Sequence, residues 1–457
     1  MKNLLKPLSL ALFVAATLPT QSAPIQTPLP SNTLPAIGPS PHFCKAIGGK
    51  DYDCGYSLIQ TSDGGYAIAG TTTSFGPVGA DVYLVKLDAH GNLQWTKTIG
   101  GPESDGGTSL IQTSDGGYAI AGNSYSFVAG GYDVYIVKLD ANGNLQWTKT
   151  IDGPNYEEGR SLIQTSDGGY AIAGYTNSFG AGEADVYVVK LDANGNLQWT
   201  KTIGGKNDDE GFSLIQTADG GYAITGYTTA GYIEYSGAGE SDVYVVKLDA
   251  HGNLQWTKTI RGKGWDVGRS LIQTSDGGYV IAGATISFGA GGVDVYVVKL
   301  DAKGNLQWTK TIGGENEDWG YSLIQTSDGG YAIAGNTEFL GAEGADVYVV
   351  KLDAKGNLQW TKTIGGKNHD EGFSLIQTAD GGYAIAGYTR SFGAGNGDVY
   401  VVKLDKNGNA CCAVSQTSQV GSGGTLSSST PSIGSGGKLT SPTPSTSSGG
   451  TLTNQCP

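Results

Sequence analysis

The chain has 457 residues, of which 75 are glycine, and a formal charge of −14. No G-X-Y period accompanies the glycine, which rules out collagen, and 38% apolar residues with 25 tyrosines are too many for a disordered polypeptide. So acidic a chain lacks the surplus of Lys and Arg that displaces counterions from a phosphate backbone, which argues against nucleic acid as a partner.

Residues 1–23 read as a secretory signal: Lys2 and Lys6 supply the positive start, Ser9 to Leu18 the apolar stretch, and Thr20-Gln21-Ser22-Ala23 the small-residue exit. The apolar run is about ten residues, too short for a bilayer core of about 30 Å. Nothing comparable recurs, so the reading is an exported protein without a transmembrane segment. Residues 24–41 hold six prolines and read as an extended spacer.

The repeat region, residues 42–412, is marked by Ser-Leu-Ile-Gln-Thr, which starts at Ser57, Ser109, Ser161, Ser213, Ser270, Ser322 and Ser374. Five of the six intervals are 52 residues and one is 57, a period typical of propellers and solenoids. Each unit holds four short β-type runs, in the third copy Ser161 to Thr165, Tyr170 to Tyr175, Asp185 to Leu191 and Leu197 to Ile203. Ser166-Asp167-Gly168-Gly169 and Asp192-Ala193-Asn194-Gly195-Asn196 are hairpin turns, because glycine accepts the positive φ a tight turn demands. Alanine and glycine in the second run and Trp199 in the fourth give a wedge that suits blades about an axis.

The fourth run occurs only six times, at Leu93, Leu145, Leu197, Leu254, Leu306 and Leu358. Before the first unit, Phe43-Cys44-Lys45-Ala46-Ile47-Gly48-Gly49 matches Trp-Thr-Lys-Thr-Ile-Gly-Gly, so the N-terminus supplies the missing strand. The expected fold is all-β: a seven-bladed β-propeller of four-stranded antiparallel blades, the last closed by an N-terminal strand, and a monomeric ring. Cys44, Cys54, Cys411 and Cys412 fall at this junction, and in an exported protein a disulfide across it is the expectation; Cys456 has no assigned partner. Residues 413–457 are Ser, Thr, Gly and Pro with almost no charge, and read as a low-complexity, flexible linker or surface-attaching tail.

The stretch Asp185 to Gly205, with Asp208-Asp209-Glu210-Gly211 and Gly220-Gly221-Tyr222-Ala223-Ile224, resembles the SBBP β-propeller repeat of exported microbial proteins. That resemblance implies a fold and a compartment and no single activity. Leu-Asp-Ala-x-Gly-x-Leu-x-Trp is also similar to the tryptophan-docking repeat of PQQ quinoproteins, and Cys411-Cys412 to their vicinal pair. With no haem-attachment Cys-x-x-Cys-His and no cofactor constellation, a quinoprotein is the minor alternative.

In this topology both hairpin turns of a blade share one face, and the near-identical turns contrast with variable loops on the other, which is therefore expected to bind ligand. The blade-four loop carries five extra residues, with Tyr232 and Tyr235 as candidate contacts. Trp265 and Trp319 occupy between-blade loops, joined by Tyr52, Tyr156 and His369, and aromatics beside carboxylates suit sugar stacking or a protein hot spot. Asp53, Asp105, Glu157, Asp209, Asp266, Asp318 and Asp370 recur at one position, either fixing loops or attracting a cation. Asp208, Glu210, Glu317 and Glu371 add oxygens that Ca²⁺ would accept, although no EF-hand spacing exists, and no cofactor is expected otherwise. Four histidines and no Ser/His/Asp cluster give catalysis little support. The expectation is a non-catalytic scaffold for an extracellular protein or glycan. The alternative is a carbohydrate-binding or glycan-processing propeller using paired carboxylates.

Overall fold

The computed structural model describes residues 42–457 except 77, 128–130, 230–240, 339–343, 411–412, 416–418, 422–424, 428–431, 435–437, 441–444, 448–450 and 455–457. The segments expected to be signal and spacer, Tyr232, Tyr235, Cys411, Cys412 and Cys456 lie outside the described residues.

Each repeat forms an antiparallel meander; in the third blade the strands are Glu157–Gln164, Tyr170–Thr176, Asp185–Leu191 and Leu197–Gly204. The first strand begins four residues before the Ser161 expected from sequence, because Glu157, Glu158 and Gly159 pair with Thr176, Tyr175 and Gly174 ahead of a β-bulge. Hairpin turns form where glycine was expected to permit them: Gly168 has φ +80° and Gly195 φ +77°. Gly195 is required for space as well, since a Cβ there would press against the Trp147 indole of the preceding blade. Neighbouring first strands touch one another all the way round, so they line the axis. The fold is a seven-bladed β-propeller, without helices among the described residues.

The seventh blade closes as its sequence arithmetic requires. Phe43–Gly48 pairs antiparallel with Asp398–Leu404, Cys44 opposite Val402 and Ala46 opposite Tyr400. Phe43 stands in for the missing tryptophan, meeting Tyr66 edge-on at 5.9 Å as Trp147 meets Tyr170 at 5.8 Å and Trp199 meets Tyr222 at 5.9 Å. The core consists of seams between blades: Ala171, Ala173, Val186 and Val188 of blade three pack on Leu214, Tyr222, Ile224 and Tyr244 of blade four. The small second-strand side chains let sheets approach closely, and burying each larger partner contributes roughly 1.5–3 kcal/mol.

The marker pentapeptide is a stitch between blades. Ser161 Oγ accepts the Leu214 N–H at 3.0 Å, and Ser374 Oγ accepts the Leu58 N–H at 3.0 Å across the closing seam. Gln164 Oε1 accepts the Ser114 N–H at 2.9 Å, and Gln60 Oε1 the Ala379 N–H at 3.0 Å. A third tie lies within the blade: the buried Lys190 ammonium donates to Asp167 in the first hairpin turn at 3.0 Å and to the Leu191 carbonyl at 2.9 Å. That contact satisfies a cation that could not otherwise be buried.

The tail differs from the flexible linker its composition suggests. Seven short strands, Ala413–Ser415, Gln419–Gly421, Thr425–Ser427, Ser432–Gly434, Lys438–Thr440, Ser445–Ser447 and Thr451–Asn454, add a fifth strand to the outer edge of blades six, five, four, three, two, one and seven in turn. Ring closure alone leaves the fourth strand of every blade with unpaired N–H and C=O groups, and this segment pairs with each. Val420, Leu426, Ile433, Leu439 and Leu452 stand opposite Ile312, Ile260, Ile203, Ile151 and Ile47. Composition hid this because the ordering comes from edges offered by the ring and not from a core of the tail's own.

Candidate functional site

The recurring acids are buried, and their oxygens are turned to the loops. Asp53 accepts the Gly49 N–H at 2.7 Å, the Ser74 hydroxyl at 2.7 Å and the Thr72 hydroxyl. Asp105, Asp318 and Asp370 accept the equivalent glycine N–H at 2.7 Å, while Glu157 accepts the Thr176 hydroxyl at 2.8 Å. Asp209 accepts the Gly205 N–H at 2.6 Å and Asp266 the Ser287 hydroxyl at 2.8 Å. This is the loop-fixing arrangement, which seals the acids away from a channel mouth.

A second acid, missed in the sequence, faces each of these across the seam: the aspartate that opens every third strand. Asp81 and Asp105 both crowd Gly100, and Asp398 and Asp53 both crowd Gly48, so a side chain there would collide with both carboxylates. Burial, reinforced by the Asp105 charge, pushes Asp81 up to about 7. Burial and Asp370 push Asp346 up to about 7, and burial with neighbouring Glu157 pushes Asp133 up to about 8. At the seam of blades four and five the glycine is replaced by Arg261, whose Nε lies 3.3 Å from Asp242. No group of three or more His, Cys, Asp or Glu able to hold a metal occurs among the described residues.

At the axis the picture changes. Every first strand has a bulge between its Gly and its Ser, at Tyr56, Thr108, Arg160, Phe212, Arg269, Tyr321 and Phe373. A bulge re-aims the extra side chain, and here seven of them form a collar about the channel. Tyr56 meets Phe373 at 5.4 Å and Phe373 meets Tyr321 at 5.4 Å. The Arg160 and Arg269 guanidinium groups each lie over the Phe212 ring, at 4.3 and 4.2 Å. Thr108 donates to the Gly159 carbonyl at 2.6 Å. The sequence carried the signal: in Asp/Glu-x-Gly-x-Ser the residue before Ser varies over Tyr, Thr, Arg and Phe while its neighbours stay fixed.

The two arginines are not equivalent. Arg160 donates to Glu210 at 2.7 Å and to Glu158 at 3.3 Å. Arg269 has no carboxylate within ion-pair distance among the described residues, and its Nε, shielded from solvent, has no hydrogen-bond acceptor. Burial holds Arg269 below the usual guanidinium range.

Of the predicted aromatics, Trp319 and Tyr52 touch collar residues and Trp265 joins them through Trp319. Trp265 and Trp319 meet at 5.3 Å, and Trp319 stacks on Tyr321 at 6.1 Å with 19° between planes. Tyr52 packs on Tyr388 at 5.0 Å, and its hydroxyl is 3.4 Å from that of Tyr56. His369 Nε2 is 2.6 Å from Glu371 Oε1, and its ring faces Tyr388 at 6.4 Å. Tyr156 stands apart, exposed beside Tyr132 at 6.2 Å. Cys54 is a free, buried thiol between Tyr52 and Tyr56, and burial pushes it up to about 12. Such a thiol is a poor nucleophile.

Residues 113–145 and 165–197 match the family described as "Domain of unknown function (DUF5122) beta-propeller". The repeat is of the β-propeller kind. A 201-residue stretch is 26% identical to the Regulatory protein FlaEY of Caulobacter vibrioides, covering 38% of this chain and 20% of that protein. The chain thus spans about a fifth of that relative. Among solved structures, the Pan2 WD40 domain of Neurospora crassa is similar at 12% identity and a TM-score of 0.44, over 78% of this chain and 89% of that one. The α-L-arabinanase of Penicillium chrysogenum is similar at 10% identity and a TM-score of 0.38, over 65% and 92%. Likenesses of this extent carry no argument about activity.

Proposed function

We propose that this protein is an exported, non-catalytic binding propeller that takes an extracellular glycan or protein at the collar end of its channel. The observation that carries the reading is the bulge position of the seven inner strands. An otherwise monotonous scaffold changes its side chain there from blade to blade, and it does so beside the aromatic arc of Trp265, Trp319, Tyr321, Phe373, Tyr56 and Tyr52. Half-buried rings stack on sugar rings or take up protein side chains, and cost little conformational entropy in doing so.

A second reading, a glycan-processing enzyme, draws its support from the close contact of His369 with Glu371 beside Tyr388. The buried seam carboxylates give that reading no support, because a substrate could not reach them. A glycan array run beside a hydrolysis assay on the purified protein, wild type and Trp265→Ala/Trp319→Ala, decides between them. Binding that the double variant loses, with no released sugar, is the expected result. Turnover that His369→Ala abolishes would replace the binding reading with the enzymatic one, and binding unaffected by the double variant would remove the collar from consideration.

A further inference from the structure

Arg160 and Arg269, from the blades on either side, both lie over the Phe212 ring, yet only Arg160 is ion-paired among the described residues. Arg160 has Glu158 and Glu210; the Glu210 carboxylate that also lies toward Arg269 is engaged by Arg160 at 2.7 Å. Arg269 keeps a solvent-shielded Nε without an acceptor, on a bulge that aims it at the axis. An unanswered guanidinium is costly to hold in a partly desolvated wall, and its planar fork matches a carboxylate. Tyr321 neighbours it on the next blade, Trp319 stacks on Tyr321 with 19° between planes, and Trp265 meets Trp319 at 60°, both tryptophans half-buried against Val267. A guanidinium beside stacked aromatic faces is the combination that recognises a sugar ring bearing an acid group. Of the acids beside the arc, Glu210 is held by Arg160 at 2.7 Å, Glu317 accepts the Trp319 indole N–H at 3.3 Å and Glu371 meets His369 at 2.6 Å, while charges more than about 8 Å away are largely screened at physiological salt.

We propose that Arg269 seats the carboxylate of a uronic-acid saccharide, which makes the collar's ligand an acidic glycan. This rests on the binding reading above and specifies its chemistry.

The test titrates the full-length protein with oligogalacturonate, oligoglucuronate and oligomannuronate, each beside its neutral methyl ester, and with a Glu-rich peptide. At least one acid should bind about tenfold more tightly than its ester, and the difference should shrink as salt is raised. Arg269→Gln should bring acid and ester to equal affinity. Arg269→Lys, which keeps the charge and loses the fork, should fall between, and an unchanged melting temperature verifies that both variants fold. Trp319→Ala should weaken acid and ester alike. Equal affinity for acid and ester in the wild type, with Trp319 dependence intact, overturns the acid seat and leaves the binding reading standing. Indifference to Trp319→Ala overturns the binding reading itself. Binding of the peptide alone, or of no uronate at millimolar concentration, also overturns the acid seat.

Discussion

The seams and the collar are built from the same seven repeats and obey opposite rules. At the seams, the serine-to-leucine stitch and the aromatic contact on the hairpin tyrosine recur blade after blade, because each group is enclosed by a neighbouring sheet and has one geometry open to it. At the collar the bulge residue points into the channel, and tyrosine, threonine, arginine and phenylalanine all fit the same backbone. Sameness therefore marks where the ring holds itself together, and difference marks where it meets something else.

The strongest way to break this contrast is at the closing seam. Removing Phe43–Gly48 takes away the buried side chains of Phe43, Cys44, Ala46 and Ile47, and should lower stability by roughly 5 kcal/mol or more. Urea unfolding and limited proteolysis would register the loss, and an unchanged midpoint would contradict the closure.

The seam carboxyl pairs predict a pH effect. Asp81, Asp133 and Asp346 sit at about 7, 8 and 7 in the folded ring, against an ordinary carboxyl near 4. The folded state thus binds more protons than the unfolded chain above pH 4. Stability is full below that pH as far as these groups decide it, and is lost as pH rises through 7 to 8. Melting temperature should drop by on the order of 5 °C between pH 5 and pH 9, and Asp133→Asn should flatten the slope. A melting curve that rises with pH over this range would falsify the assignment.

Smaller effects sharpen the comparison. Ser161→Ala strands the Leu214 N–H at the seam and should cost about 1–3 kcal/mol by chemical denaturation. Thr108→Ser keeps the hydroxyl that donates to the Gly159 carbonyl at 2.6 Å while changing the collar side chain, and should cost under about 1 kcal/mol. If the two substitutions cost the same, the distinction between seam and collar loses its physical basis.

Much of the fold was legible because a count exposed it: seven copies of one run against six of another, with Phe43 in the tryptophan's place. The site was legible in part. Trp265, Trp319, Tyr52 and His369 stood out as departures from the repeat, whereas Arg160, Phe212 and Arg269 were passed over because the bulge that turns them inward has no residue signature beyond the variability of its own position. The acid opposite each seam carboxylate was hidden for a different reason: Asp81 and Asp105 lie in successive repeats and meet only when blades stand side by side. The tail's strands escaped notice because a single apolar residue every six or seven positions does not register as a pattern until a partner edge supplies the period.

The direction in which the last segment travels has a bearing on assembly. The main body is laid down from blade one to blade seven, whereas the terminal segment visits blade six first, retreats to blade one, and ends against the head strand that completes blade seven. Six strands of this girdle each need only the edge of one blade, whereas Thr451–Asn454 needs Phe43–Gly48 already seated, so that contact acts as a latch set only on a closed ring.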